Sequence, residues 1–429
     1  MVQELLRQVR IVDPLSQVDR VADVLIEAGK IVEIASPGAI QSKAAAERDC
    51  TGLVLAPGLV DLYSHADEPG FETRETLASL TAAAIAGGFT RLTLLPDTPL
   101  PLDHTDGLAR LHAQISSDLP LHVQAWGAIT QKLEGQQLVE FGDMIQAGVV
   151  GFSDGRPVQN SMLLRRLCEY LGAASIPIAL WPCDPALAGN GVIRPGLEAL
   201  QLGLTESPTM AETAVLAALL EMVAELKTPI HLMRVSTARS VALIQRAKER
   251  NLPITASTTW MHLLGNSESL RTYDVNWRLD PPVGNVQDQA ALIRGLESGV
   301  IDAIAMDHHA YTYEEKTVAF SATPPGAIGL ELALPLLWQT FVATRRWSPL
   351  TLWQTLSTSP CHCLGQSPPT LQPGQSAEMI LFDPQQAWTA NAQTLHSLSC
   401  NTPWYGHTLT GRVLKTWHPR TQSDPLECL

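Results

Sequence analysis

Eight short apolar runs, separated by stretches of helical spacing, constrain this chain more than any other feature. They lie at positions 59–63, 91–95, 122–126, 149–153, 176–181, 230–234, 254–258 and 303–307. Brief apolar runs bounded by turns suit parallel strands whose two faces are both covered. Between them, segments such as 210–226 and 238–250 repeat apolar residues every three or four positions, as amphipathic helices do. Eight strands alternating with helices predict a (β/α)8 barrel. The two ends have another rhythm. Val21-Ala22-Asp23-Val24-Leu25-Ile26-Glu27, a Gly29-Lys30 turn and Ile31-Val32-Glu33-Ile34 read as a hairpin, and short strands recur around 377–383 and 411–415. The expected fold class is therefore α/β, a TIM-like barrel over residues 57–369. A small β-sandwich domain is expected from residues 1–56 together with 370–429.

Composition narrows the function classes. A net charge of −14 argues against a nucleic-acid surface, which needs clustered Lys and Arg to displace counterions. The first residues carry no apolar signal core, and no run is long enough for a membrane span. Seven scattered cysteines fit reduced thiols in a cytoplasmic protein better than a disulfide framework. The one dense group, Cys361-His362-Cys363, reads as buried thiols near a helix, because a closed zinc site needs a fourth ligand.

In a barrel of this type chemistry sits at the C-terminal ends of the strands. The first run ends in Asp61-Leu62-Tyr63-Ser64-His65-Ala66-Asp67-Glu68-Pro69-Gly70. This segment resembles the dihydroorotase signature of the amidohydrolase superfamily, a His-x-His pair followed by an arginine and then Glu-Pro-Gly. Gly87-Gly88-Phe89-Thr90, Gly127-Ala128-Ile129-Thr130, Asp154-Gly155-Arg156-Pro157-Val158, Val235-Ser236-Thr237-Ala238, Asp302 to His308 and Gly329-Leu330-Glu331 extend the resemblance over nearly the whole chain. The resemblance implies opening or closing of a cyclic amide. Two zinc ions polarise the carbonyl and activate water, and an aspartate on the eighth strand carries the proton.

Slot by slot, the resemblance also implies loss. The first histidine of the pair is Tyr63, and only His65 survives. The fourth strand keeps Asp154 of two expected aspartates, and whether it fills the ligand position is open. The fifth strand presents Trp181 and the sixth Arg234 where histidines are expected; neither offers a lone pair to a metal. Asp307 on the eighth strand matches. The expected carboxylate-binding positions read Asp67, Asp97 and Asp280, and a further arginine is Gly284, so the substrate's anion clamp has turned acidic. His262 falls in a loosely similar segment and either lines the pocket or does not. His308 and His309 are structural or surface histidines, or else makeshift ligands, and His231 packs within its strand.

These losses lead to a definite expectation. The chain lacks a dinuclear zinc centre, holds at most one weakly bound ion, and is silent as a dihydroorotase. Some bacteria carry silent homologues that assemble with aspartate carbamoyltransferase, so the resemblance implies a scaffold role in pyrimidine synthesis; a folded barrel with an eroded site is expected to be a homo-oligomer or that complex. The alternative is an active cyclic-amide hydrolase of altered specificity, with one metal on His65, Asp154 and Asp307. Arg234 is expected to project into the barrel mouth and bond to Asp307, Asp154 or both, with Tyr63 and Trp181 filling the space of the lost imidazoles.

Overall fold

A computed structural model describes residues 3–41, 45–115, 121–172, 174 and 176–418; residues 419–429 of the expected small domain lie outside the described residues. Five strands come first: β1 (Gln3–Asp13), β2 (Val18–Glu27), β3 (Lys30–Ala35), β4 (Ala46–Asp49) and β5 (Val54–Pro57). Eight short ones follow: β6 (Leu59–Ser64), β7 (Phe89–Leu94), β8 (His122–Gly127), β9 (Gly151–Phe152), β10 (Ala179–Leu180), β11 (Ile230–Leu232), β12 (Ile254–Thr259) and β13 (Ala303–Ala305). Two long strands, β14 (Met379–Thr389) and β15 (Thr408–Trp417), come last.

The eight middle strands form two parallel sheets, β6 to β9 and β10 to β13, each in sequence order. Phe152 N–H donates to Pro177 O (2.9 Å) at one seam. At the other, Asp307 N–H donates to Tyr63 O (3.0 Å) and His65 N–H to His308 O (2.9 Å). The strands thus follow one another around a ring. All six residues of β6 are buried, as expected for a strand covered on both faces. The helices fall where the spacing places them, at Met210–Leu226 and Ala238–Glu249. Helix Leu77–Gly87 is fixed at its start by reciprocal Thr76 and Ser79 bonds and at its end by Gly88, whose φ of 90° suits a residue without Cβ.

The flanking strands make one continuous sheet in the order β15-β14-β5-β1-β2-β3, with β4 also on β1. A bulge between Leu6 and Val9 lets β1 exchange partners, pairing β4 before it and β5 after it. The expected sandwich domain is built from this one continuous sheet, with a core that includes Leu6, Val9, Val24, Ile31, Met379 and Leu381. Its far edge returns to the residues before β14, where Ile31 N–H donates to Gln375 O (3.0 Å). Glu378 fastens this sheet to the ring by accepting both Arg91 Nε (2.8 Å) and Nη2 (2.9 Å). Among the described residues no helix is long and apolar enough to cross a membrane.

Candidate functional site

The strand ends bring His65, Trp181, Arg234 and Asp307 to one mouth, where they border a cavity of about 140 Å³. Arg234 dominates it. Its guanidinium grips both oxygens of Asp307, Nε to Oδ2 at 2.9 Å and Nη2 to Oδ1 at 2.6 Å. Nη1 donates to the Gly155 carbonyl (2.9 Å), and the fork lies 4.6 Å from the centre of the Trp181 ring. Only 4% of Arg234 is exposed, so this is a nearly dry, charge-assisted pair. Burial opposes the charge of Asp307, but Arg234 and then His65 outweigh it and hold the carboxyl well below the usual range. Arg234 (φ 52°) and Asp307 (φ 50°) both sit in the left-handed region, which disfavours residues with a Cβ. The Arg234 N–H is anchored there by Tyr63 Oη at 3.1 Å, and Tyr63 Oη also meets Ser257 Oγ at 3.1 Å.

His65 joins this pair to a second carboxylate. Its Nδ1 lies 3.0 Å from Asp97 Oδ2, and its Nε2 lies 3.4 Å from Asp307 Oδ1. Burial again opposes charge, but Asp97 and Asp307 prevail and raise the imidazole pKa to about 9. That raised pKa favours the imidazolium, and Arg234 Nη2 lies 3.1 Å from Nε2. Two cations and two carboxylates then balance. Asp97 is lowered in turn, with His65 outweighing its burial.

This donor set does not suit a divalent cation. The two oxygens of Asp307 are taken by a guanidinium, and Arg234 can only donate. Burial pushes the Tyr63 phenol further above its ordinary pKa, away from the phenolate a metal would need. Trp181 faces the guanidinium with an indole ring. What the arrangement does is hold charge.

Several expectations need correction. Asp154 is not in the mouth. Its Oδ1 accepts from Ile129 N–H (2.7 Å) and Thr130 N–H (3.0 Å), and its Oδ2 from the Thr130 hydroxyl (2.6 Å). It ties the loop after β8, and Arg234 bonds to Asp307 without it. Nor do the acidic clamp positions stand without cations. Asp67 has Arg74 Nη1 at 3.3 Å, and Arg156 borders the same cavity as Asp97 and Asp280. Burial, partly offset by Arg74, raises Asp67 to about 6, and burial also raises Asp280.

Of the two roles open to His308, the geometry gives a structural one: Nε2 lies 3.2 Å from Glu75 Oε2, and Nδ1 accepts from Gly329 N–H at 3.1 Å. His309 stacks on His65, ring centres 3.9 Å apart, and borders the cavity. His262 also lines it, bonded to Thr259 Oγ1 (2.7 Å). His231 packs against Thr255 and Ser257, and Cys361 and Cys363 are buried. Sequence reading missed Arg74 and Tyr311 at the mouth. The +7 spacing of Arg74 from Asp67, just before the next helix, was the available signal for the first.

Comparison with known proteins agrees with this architecture. A family model described as dihydro-orotase-like matches residues 52–166. A Synechocystis sp. protein described as a probable dihydroorotase-like protein is 45% identical over 95% of this chain and 98% of its own length. The dihydroorotase of Geotalea daltonii is 34% identical over 95% of this chain and 96% of its own. Among solved structures, the L-hydantoinase of Arthrobacter aurescens superposes with a TM-score of 0.83 at 21% identity, covering 97% of both chains. The dihydropyrimidinase of Brevibacillus agri gives 0.81 at 20%, covering 97% of this chain and 94% of its own.

Proposed function

The chain belongs to the dihydroorotase-like family of amidohydrolases, and from that premise we propose that it is a member silent toward dihydroorotate, retained as a structural or regulatory partner. The observation that carries this reading is the guanidinium fork of Arg234 on both oxygens of Asp307. The carboxylate that would take and return a proton is held ionised and engaged, and the facing position offers donors where an imidazole would offer a lone pair. The proposed setting is cytoplasmic, as a homo-oligomer or in complex with aspartate carbamoyltransferase. The barrel of residues 57–369 and the small domain of residues 1–56 and 370–429 are its two proposed units. The alternative, a hydrolase with one metal on His65, Asp154 and Asp307, loses support because both oxygens of Asp154 are bonded elsewhere.

The test is zinc content of the purified chain together with interconversion of carbamoyl aspartate and dihydroorotate. The expected result is far less than one zinc per chain and no turnover. About two zinc ions per chain, with turnover abolished by His65→Ala or Asp307→Asn, would overturn the proposal. For the partner, recovery of neither aspartate carbamoyltransferase nor a second copy from native lysate would count against it.

A further inference from the structure

A second cavity of about 490 Å³ opens beside the four charges and shares His65, Asp97, Arg156, His309 and Tyr311 with the first. That size is within the usual range for small-molecule sites, about 300–1,000 Å³. Its wall carries charges of both signs whose bonding capacity the fold does not use up. Asp67 is 5% exposed; its Oδ1 takes Arg74 Nη1 at 3.3 Å, and its Oδ2 has no hydrogen-bond partner among the described residues. A buried carboxylate oxygen without a donor is costly, and such groups are commonly completed by a ligand or an ordered water. On the same wall, Lys132 and Arg156 make no hydrogen bond or ion pair through their side chains among the described residues, and both are exposed. Lys132 is fixed at the rim: its φ is 56°, and its backbone N–H donates to Asp103 Oδ2 at 2.8 Å. Arg74 is not free to serve either sign, being engaged by Glu315 and Asp67 and lying 4.0 Å over the Phe71 ring.

We propose that this cavity binds a small zwitterion such as a free amino acid, its ammonium group at Asp67 and its carboxylate at Lys132 and Arg156. One sign alone fits poorly. A dicarboxylate would set one end against Asp67 and Asp97, and a diamine would set one end against Lys132 and Arg156. The proposal rests on the silent reading only in making the ligand an effector rather than a substrate.

Calorimetry of the full chain with glycine, β-alanine and 4-aminobutyrate tests it, with succinate and 1,4-diaminobutane as single-sign controls. At least one zwitterion should bind with a Kd of about 1 mM or below, and both controls should bind at least about tenfold more weakly. Asp67→Asn and Arg156→Ala should each weaken the zwitterion by about tenfold or more. Arg156 is exposed, so its variant keeps the test open if Asp67→Asn proves unstable. The proposal is overturned if no zwitterion binds at about 20 mM, if succinate binds as well, or if Arg156→Ala changes nothing. These outcomes do not depend on zinc or turnover. A chain that binds a zwitterion and also closes dihydroorotate keeps this site and loses the silent reading, and the converse result separates them equally well.

Discussion

Arg234→Ala should destabilise the fold by about 4 kcal/mol at pH 7. Breaking a buried ion pair from one side costs roughly 3–5 kcal/mol, because the remaining charge stays desolvated. Two features set the place within that range. Asp307 is 16% exposed and keeps His65 at 3.4 Å, so water and the imidazolium soften the loss. Against this, the variant also gives up the contact with the Trp181 face, worth up to ~2 kcal/mol when dry. Alanine inherits the left-handed backbone, so Arg234→Gly should lose no more than Arg234→Ala, and up to ~1 kcal/mol less. Urea unfolding of wild type, Arg234→Ala, Asp307→Ala and the double variant measures both the cost and the coupling. Coupling of about 2 kcal/mol or more is expected. The gap between wild type and Arg234→Ala should also narrow as pH falls below about 4, since a lowered carboxyl stabilises the fold above its unfolded pKa and loses that effect on protonation. A cost under ~1 kcal/mol with coupling near zero would refute the reasoning.

The imidazolium of His65 makes a prediction of opposite sign. Its folded pKa of about 9 exceeds the unfolded value, so its contribution of roughly 3 kcal/mol is complete below about pH 6.5 and lost as pH rises through 9. Comparing wild type with His65→Asn from pH 6 to 10 isolates it, and a constant difference would rule it out. Asp154→Ala should cost about 3 kcal/mol by stranding the buried donors of Ile129 and Thr130, measurable by thermal unfolding; a neutral effect would contradict the loop-tying role. Arg234→His alone should not confer zinc binding, because Tyr63, Trp181 and the engaged Asp154 remain; stoichiometric zinc in that variant by elemental analysis would contradict this.

The ring was largely legible because each of its strands announces itself as a short apolar run, and helices Met210–Leu226 and Ala238–Glu249 as spaced ones. β9 and β10 shrink to two residues each, yet their flanking runs still marked them. The site was legible where a residue acts through its own chemistry. An arginine at the end of the sixth ring strand needs a carboxylate, and Asp307 across the mouth provides one. What did not show was direction. Asp154 follows Ser153 at a strand end, but the carboxylate turns toward the loop after β8, where two amides and a hydroxyl outbid the mouth. The Asp97 pairing with His65 was equally hidden, because it joins two loops that only the ring brings together.

The way β14 lies against β5 bears on how the chain is made. Met379 to Phe382 pair with Val54 to Pro57 across more than three hundred intervening residues. While the ring is being synthesised, β5 therefore presents an unpaired edge and the apolar face of Leu55 has no cover from Met379 or Leu381. Closure of so long a loop is slow to nucleate, and bare edges of this kind invite pairing with other chains. A nascent chain arrested before β14 should accordingly be aggregation-prone even with its ring strands complete, and release of the last strands should be the step that makes it soluble.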